Sequence, residues 1–262
     1  MNNELKDIFN IQEVLKVHGY YDNSRISKEI YDYSVKSSTP LESILQRISK
    51  NEPWEYIKGE CEFRGNIFKV NASTLIPRIE SEQIIDILKD ELRDTSTPFD
   101  GIIDVGTGSG CLVVSAAKEL GRRYEYYATD ISQEALNIAK ENAEKILQED
   151  YISFVKTNLL ENLSLDPSKR YFIMANLPYI PTDQYLNLDS SVMDYEPRNA
   201  LDGGELGTQY CLELIDQIQK KGLNATLLLE IEPSTISQFE KLNPTIINDL
   251  YDRKRFLLFR FS

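Results

Sequence analysis

Apolar residues in the first fifty positions recur at the three- and four-residue spacing of amphipathic helices. One run extends from Leu5 to Leu15, and the glycine at Gly19 that follows is typical of a helix end. A second helix start is predicted at Thr39, as the N-cap, with Glu42 completing a capping box. The pattern therefore predicts short helices over this region.

The spacing of apolar residues changes between residues 55 and 76. Phe63 and Phe68 flank Gly65 in a pattern that favours a short hairpin, and helical periodicity returns between Ile84 and Leu92. We therefore expect a helical domain with a hairpin connector over residues 1–72 and a larger domain over residues 73–262.

From residue 99 onward, apolar runs typical of strands alternate with helical stretches. The predicted strands are Phe99–Val105, Tyr124–Thr129, Tyr151–Val155, Tyr171–Ala175 and Thr226–Ile231. Such alternation predicts an α/β fold, with a parallel sheet covered by helices on both faces. The tail, which ends in FLLFRF, is typical of a closing hairpin and would make one edge strand antiparallel.

The composition argues against several kinds of chemistry. The formal net charge is -13 at pH 7, so no uniform positive field would attract nucleic-acid phosphates. Cys61, Cys111 and Cys211 are isolated, and the one histidine, His18, is read as a surface residue at a helix end. A zinc or other metal site, a redox dithiol and a histidine-based catalytic triad are therefore not expected.

The first residues and the apolar runs of the chain indicate the cellular compartment in which the protein is expected. The first residues lack the basic and apolar segments of a secretion signal, and no apolar run approaches the ~20 residues of a membrane span. Unpaired cysteines suit a reducing compartment. We expect a cytoplasmic protein with no membrane partner.

A glycine-rich loop joins the first strand of this α/β region to a helix. It reads Asp104-Val105-Gly106-Thr107-Gly108-Ser109-Gly110. Glycines at such a turn allow a sharp bend and the close approach of a ligand. The spacing is neither the GxGxxG of dinucleotide sites nor a P-loop, which would carry a lysine. Taken alone, the loop is also compatible with a plain tight turn.

Polar side chains also follow the next two predicted strands. Asp130 and Ile131 follow the second, where a carboxylate can accept both hydroxyls of a ribose. Asn158 and Leu159 follow the third, where they can meet an adenine amine and ring. Because open α/β sheets bind ligands at the carboxyl ends of their strands, these loops would face one nucleoside-sized cleft. For Asp130 alone, a helix start is the alternative.

The fourth predicted strand runs into Asn176-Leu177-Pro178-Tyr179. An [N/D]-x-P-[Y/F] tetrapeptide at a strand end is the signature of methyltransferases that act on a planar nitrogen. Such a nitrogen is a poor nucleophile because its lone pair is delocalised, so catalysis depends on positioning. Asn176 Oδ1 and the backbone carbonyl of Leu177 can accept its two N–H groups, and Tyr179 can pack on the planar group. A proline turn without chemistry is the alternative.

Five further stretches add a common pattern. They are EPWEYIKG at 52–59, FRGNIFKV at 63–70, LIPRIESE at 75–82, YEPRNALDGG at 195–204, and LEI at 229–231. With the glycine loop, they resemble the EPxxYIxG, FxGxxFxV, LIPRPxTE, DxGTGSG and FEPRxALxGG motifs of the PrmC/HemK glutamine methyltransferases. The resemblance runs from residue 40 to the end of the chain.

The resemblance implies a class I, Rossmann-like methyltransferase domain of seven strands behind a small N-terminal helical bundle. The implied cofactor is S-adenosyl-L-methionine, and the implied reaction methylates N5 of the glutamine in the Gly-Gly-Gln motif of peptide chain release factors. The N-terminal domain would recognise that protein, and we expect a monomer without direct nucleic-acid binding. Cofactor binding is expected from Asp104, Gly106, Thr107, Gly108, Ser109, Gly110, Asp130, Ile131, Asn158, Leu159 and Asn176, and catalysis from Asn176, Leu177, Pro178 and Tyr179.

Two positions depart from the family pattern. Leu177 replaces the usual first proline of NPPY, which leaves Asn176 less restricted, and Asn158 stands where Asp is frequent. The NLPY spelling is also usual in ribosomal RNA adenine dimethyltransferases, so an RNA adenine-N6 methyltransferase is the main alternative. The acidic charge and the EPxxYIxG and LIPR-like motifs oppose it. The motifs are also compatible with a ribosomal-protein glutamine methyltransferase or with a binding protein that has lost catalysis.

Overall fold

A computed structural model describes residues 3–20, 22–93 and 98–262. These residues divide into two compact units, one within Met1–Glu60 and Asp189–Tyr195 and the other within Cys61–Leu188 and Glu196–Ser262. We call them the helical unit and the sheet unit. The division of roles between residues 1–72 and 73–262 stays a prediction.

The helical unit buries the apolar faces of four helices against each other. The helices are α1 (Asn3–Val17), α2 (Asn23–Ser37), α3 (Leu41–Ile48) and α4 (Trp54–Lys58). Their shared core contains Ile11, Leu15, Ile30, Ile44, Ile48, Trp54 and Ile57. As predicted, α1 ends just before Gly19, whose φ of 78° is a left-handed conformation that glycine adopts without strain.

The cap predicted for α3 is wrong. Pro40 occupies the N-cap position and makes no side-chain cap bond, whereas Thr39 Oγ1 accepts from Ser37 Oγ at 2.8 Å. The threonine hydroxyl is thus engaged at the end of the preceding helix. A distant segment also joins this unit, because Asn51 Nδ2 donates to Ser190 Oγ and Tyr195 Oη donates to the carbonyl of Lys50, both at 2.8 Å.

The sheet unit alternates strands and helices. Its strands are β1 (Glu60–Phe63), β2 (Asn66–Lys69), β3 (Gly101–Val105), β4 (Glu125–Asp130), β5 (Ile152–Lys156), β6 (Arg170–Ala175), β7 (Asn224–Glu230), β8 (Thr245–Asn248) and β9 (Lys254–Phe261). The helices that follow α4 along the chain are α5 (Gln83–Arg93), α6 (Cys111–Leu120), α7 (Gln133–Leu147), α8 (Thr182–Tyr185), α9 (Ser190–Met193) and α10 (Gln209–Lys220), of which α9 belongs to the helical unit. Strands β1 and β2 form the predicted hairpin.

The main sheet of the described chain has the order β5-β4-β3-β6-β7-β9-β8, with β3 to β7 parallel. Val105 pairs with both Thr129 and Ala175, and Ala175 pairs with Leu229. This register ends neighbouring strands at one level. The loops that follow them therefore start from the same edge of the sheet.

The predicted closing hairpin at the tail is confirmed, but the strand that runs antiparallel to the others does not lie at the edge of the sheet. Strand β9 lies between β7 and β8 and runs antiparallel to both. Phe256, Leu257, Leu258 and Phe259 are all buried, which requires cover on both faces of β9, whereas β8 is largely exposed and takes the edge position. Apolar clusters fill both sides of the sheet. Within the described ranges, no helix combines the length and apolarity needed to cross a bilayer.

Candidate functional site

The loops after β3, β4, β5 and β6 line one cleft at the carboxyl edge of the sheet. The predicted residues in its wall are Gly106, Thr107, Gly108, Ser109, Asp130, Ile131, Asn158, Leu159, Asn176, Leu177 and Pro178. Three other predicted residues, Asp104, Gly110 and Tyr179, do not contribute to this wall. Four motifs separated along the chain therefore meet at one place, as the parallel register requires.

The glycine loop needs glycine for two different reasons. Gly106, Gly108 and Gly110 have φ values of 72°, 54° and 81°. A Cβ on Gly106 would lie 2.9 Å from Leu177 Cδ2, and one on Gly110 would lie 3.0 Å from Ala139 Cβ. Both glycines thus permit close packing, whereas Gly108 has open space around it and is required for its conformation.

Asp104 lies behind this loop and is buried. Its Oδ2 accepts from Thr107 Oγ1 at 2.7 Å and from the Val113 amide at 3.2 Å. Burial raises the pKa of Asp104 to about 7, which these two donors oppose. Its buried Oδ1 has no hydrogen-bond partner within the described residues.

Asp130 is fixed by the backbone on both sides. Its Oδ2 accepts from the Gly108 amide and its Oδ1 from the Ser132 amide, each at 2.9 Å. Burial raises the pKa of Asp130, and these amides oppose the rise. Ser132 caps α7 by accepting from the Ala135 amide, and each Asp130 oxygen keeps capacity for a further donor. Beside it, the apolar side chain of Ile131 is 59% exposed and lines the cleft.

Asn158 is held by α10. Its Nδ2 donates to Glu213 Oε1 at 2.6 Å, so the remaining acceptor of the amide is Oδ1. The next residue, Leu159, has a φ of 51°, a left-handed conformation that is rare outside glycine, and its side chain is buried. The chain therefore turns sharply to place both residues in the cleft wall.

Asn176 begins a chain of hydrogen bonds that leads away from the cleft. Its Nδ2 donates to Ser81 Oγ at 2.9 Å, and Ser81 Oγ donates to Glu230 Oε2 at 2.7 Å. Ser81 lies in a 3₁₀ turn, Ile79–Glu82, and Glu230 is the last residue of β7. Burial raises the pKa of Glu230 to about 7.

The segment that follows Asn176 is held by its own backbone and by two glycines. The Ile180 amide donates to the Leu201 carbonyl at 3.0 Å, and the Gly203 amide donates to the Ile180 carbonyl at 2.8 Å. A Cβ on Gly203 would meet the Pro178 carbonyl oxygen at 2.5 Å, and one on Gly207 would collide with the Tyr179 carbonyl. This packing fixes the Pro178–Tyr179 backbone.

The side chains of this segment have different surroundings. Leu177 is 4% exposed and belongs to an apolar cluster on one face of the sheet. Burial and the nearby charge of Glu230 raise the pKa of Tyr179 well above its usual value, so its phenol stays protonated.

Several cleft residues were not predicted from the sequence. They are Ser73, Thr74, Leu75, Pro77, Arg78, Ser81, Cys111, Leu112, Ser132, Ala135, Thr157, Asn199, Ala200 and Tyr210. Some of them lie in the LIPRIESE and YEPRNALDGG stretches, which indicate the family but no role for a single residue. An ion pair between Arg78 and the buried Glu196 joins these two stretches, and Glu196 also accepts from the Ile76 amide at 3.2 Å.

Comparison with known proteins gives a consistent result. A family model described as a methyltransferase domain matches residues 99–239. The release factor glutamine methyltransferase of Flavobacterium psychrophilum is 33% identical over 230 residues, which span 84% of this chain and 79% of that protein. The release factor glutamine methyltransferase of Thermodesulfovibrio yellowstonii is 31% identical over 228 residues, which span 86% and 77%.

Solved structures share the fold at lower identity. The human methyltransferase 10 domain containing protein aligns with a TM-score of 0.53 at 18% identity, over 76% of this chain and 89% of that one. The N-terminal domain of human METTL16 in complex with SAH aligns with a TM-score of 0.50 at 18% identity, over 87% and 96%. The predicted class I, Rossmann-like methyltransferase fold with a helical N-terminal region is confirmed.

Proposed function

Because the chain belongs to the release factor glutamine methyltransferase family, we propose that it methylates N5 of the glutamine in the Gly-Gly-Gln motif of peptide chain release factors. The observation that carries the proposal is the Asn176 amide. Its Nδ2 is committed to Ser81, so its Oδ1 is the acceptor that an incoming amide can meet in the cleft.

The cofactor is S-adenosyl-L-methionine, which supplies an electrophilic methyl group on a sulfonium when it is bound. The cleft wall fits this molecule. The Asp130 carboxylate has acceptor capacity for ribose hydroxyls, and Asn158 Oδ1 is an acceptor for the adenine amine. The exposed side chain of Ile131 offers an apolar surface to the ring.

The residues after β6 orient the nitrogen that receives the methyl group. A glutamine amide has two N–H groups, which Asn176 Oδ1 and the Leu177 carbonyl accept. This holds the nitrogen with its lone pair pointing along the path of an in-line displacement, and most of the rate comes from that positioning. The bound sulfonium would supply the methyl group as its C–S bond breaks, and the nitrogen that receives it would lose one proton to water. A strong base is not required.

The helical unit has the features of a recognition module. It has an apolar core of its own, whereas every residue in the cleft wall belongs to the sheet unit. The region predicted as residues 1–72 would therefore bind the protein substrate, and the enzyme would act as a monomer in the cytoplasm. The net charge of -13 favours a protein partner over direct contact with nucleic acid.

Transfer of labelled methyl groups tests this function. The enzyme is incubated with methyl-labelled S-adenosylmethionine and, separately, with a bacterial release factor, the same factor with its motif glutamine changed to alanine, and ribosomal RNA. We expect label only in the unaltered factor. Equal labelling of the altered factor would refute the glutamine assignment, and labelling of RNA alone would favour an adenine methyltransferase.

A further inference from the structure

We propose that Ser81 and Glu230 are positioning residues that determine which end of the Asn176 amide faces the substrate. The proposal deepens the function given above and rests on it, because the Asn176 oxygen matters only if an amide donor enters the cleft. Neither residue was predicted to belong to the site from the sequence. Ser81 contributes to the cleft wall, and Glu230 lies behind it.

The three side chains form one hydrogen-bonded chain, in which Asn176 is partly buried and Ser81 and Glu230 are buried. The register pairs Ala175 with Leu229, so Asn176 and Glu230 occupy the next positions at the ends of neighbouring strands. Ser81 is 2% exposed and Glu230 is 1% exposed. The two hydrogen bonds measure 2.9 Å from Asn176 to Ser81 and 2.7 Å from Ser81 to Glu230. At this depth, bulk water cannot easily replace either partner.

The number of donors and acceptors determines which partner donates in each of these two hydrogen bonds. An ionised carboxylate can only accept, and a serine hydroxyl has one proton to donate. Ionised Glu230 therefore accepts the hydrogen bond that the Ser81 hydroxyl donates, and Ser81 Oγ must accept from Asn176 Nδ2. The oxygen of the Asn176 amide is then directed to the opposite side. The reversed amide would present N–H groups to the N–H groups of a glutamine, which is repulsive.

The charge of Glu230 is what excludes the reversed arrangement. Burial raises the pKa of Glu230 to about 7, with a contribution from the charge of Glu80, whereas the Ser81 hydroxyl and the charges of Arg255 and Arg78 favour the ionised form. As the pH falls through that value, Glu230 gains a proton that it can donate to Ser81, and the Ser81 proton can then turn toward Asn176. Methyl transfer should therefore slow on acidification.

Substitutions at Ser81 test the hydroxyl. Ser81→Ala should lower kcat about tenfold, the worth of one lost positioning hydrogen bond, without changing cofactor affinity. Ser81→Thr keeps the hydroxyl and should restore most of kcat. The matched control is Ser115→Ala, because Ser115 is equally buried and its hydroxyl has no partner among the described side chains. This control should leave kcat unchanged.

Glu230→Gln tests the charge. In the unaltered enzyme, kcat should fall as the pH drops between about 8 and 6, centred on the pKa of Glu230. The Glu230→Gln variant has no titratable group at this position, so its kcat should not fall over this pH range. If kcat of Glu230→Gln fell as it does in the unaltered enzyme, another group would control the pH dependence and the role of Glu230 would be overturned.

A measurement on the enzyme alone separates this proposal from the substrate assignment. The side-chain amide signal of Asn176, identified by its loss in Asn176→Asp, is followed by NMR in the full chain with S-adenosylmethionine bound. The chemical shift of this signal should change with pH, with a midpoint near pH 7, the pKa of Glu230. In Ser81→Ala and in Glu230→Gln the chemical shift should not change over this pH range. If release factor stays unmethylated while this pH dependence is seen, the proposed function is refuted and the positioning role of Ser81 and Glu230 is kept. A chemical shift that does not change with pH, or full kcat in Ser81→Ala, would overturn this positioning role.

Discussion

Two asparagines contribute to the cleft wall, and they are anchored differently. Asn158 Nδ2 donates directly to Glu213 Oε1 on α10, at 2.6 Å, and this carboxylate is partly exposed. Asn176 gives its Nδ2 to a buried serine, which in turn bonds a buried glutamate. Water can substitute for a lost partner near the surface but not in the interior. We therefore expect the Asn158 contact to be adjustable and the Asn176 contact to be fixed.

The largest effect is expected from Asn176→Ala. Removing the acceptor should cut kcat/KM by ~10²-fold or more, the usual worth of one preorganised group that stabilises developing charge. Cofactor affinity should change by no more than a few-fold, because the proposed ribose and adenine contacts lie on other loops. Steady-state kinetics on release factor and calorimetry with S-adenosylmethionine provide the two readings. The exposed Asn137→Ala on α7 is the control, and near-wild-type activity of Asn176→Ala would remove the proposed role of Asn176.

Asp130→Ala should weaken cofactor binding more than it slows methyl transfer. It removes a carboxylate that is placed for two charge-assisted hydrogen bonds to a ribose, each worth ~1.5–3 kcal/mol. The Kd for S-adenosylmethionine should rise by ~10²-fold or more, which calorimetry measures, with a smaller change in the rate at saturating cofactor. An unaltered Kd would show that Asp130 serves only to order the loop through Gly108 and Ser132.

A smaller effect is expected from Asn158→Asp, although Asp is frequent in the family at this position. The new carboxylate would lie at hydrogen-bond distance from Glu213, and like charges so close raise the pKa of one of them. We expect a ~3–10-fold loss of cofactor affinity, which Glu213→Gln in the same chain should largely reverse. Calorimetry on the two single variants and the double variant completes the cycle. Strictly additive losses would show that the two residues do not interact.

The smallest effect on activity is expected from Leu177→Pro. The backbone carbonyl is kept, so kcat should stay within a few-fold of the original. The buried leucine side chain is lost from its apolar cluster, which should cost ~1–2 kcal/mol and lower the Tm by ~2–8 °C. Thermal unfolding and steady-state kinetics measure the two effects. A collapse of activity without loss of stability would mean that the loop depends on leucine itself.

The sequence predicted the fold wherever the signal was local. Alternating apolar runs and helical periods predicted strands β3 to β7 and a parallel sheet, and the parallel register places their loops together. The position of β9 was missed because an apolar run does not specify its neighbours in the sheet. Only the burial of both faces of β9 explains why it lies inside while β8 forms the edge.

The candidate site shows the same limit. Part of its wall was predicted, from motifs that each follow one strand. The anchoring partners were not, because Ser81 and Glu213 lie 95 and 55 positions away from the asparagines that they hold. A serine in LIPRIESE or a glutamate on an amphipathic helix has no local feature that distinguishes it from a capping or surface residue.

The most direct test of the account is to map the methylated atom. Release factor is treated with the enzyme and S-adenosylmethionine, digested, and sequenced by tandem mass spectrometry, with Asn176→Ala treated in parallel. We expect one added methyl group on the side-chain amide of the Gly-Gly-Gln glutamine with the unaltered enzyme, and a far lower yield with the variant. A methyl group on any other residue, or an equal yield with Asn176→Ala, would contradict the account.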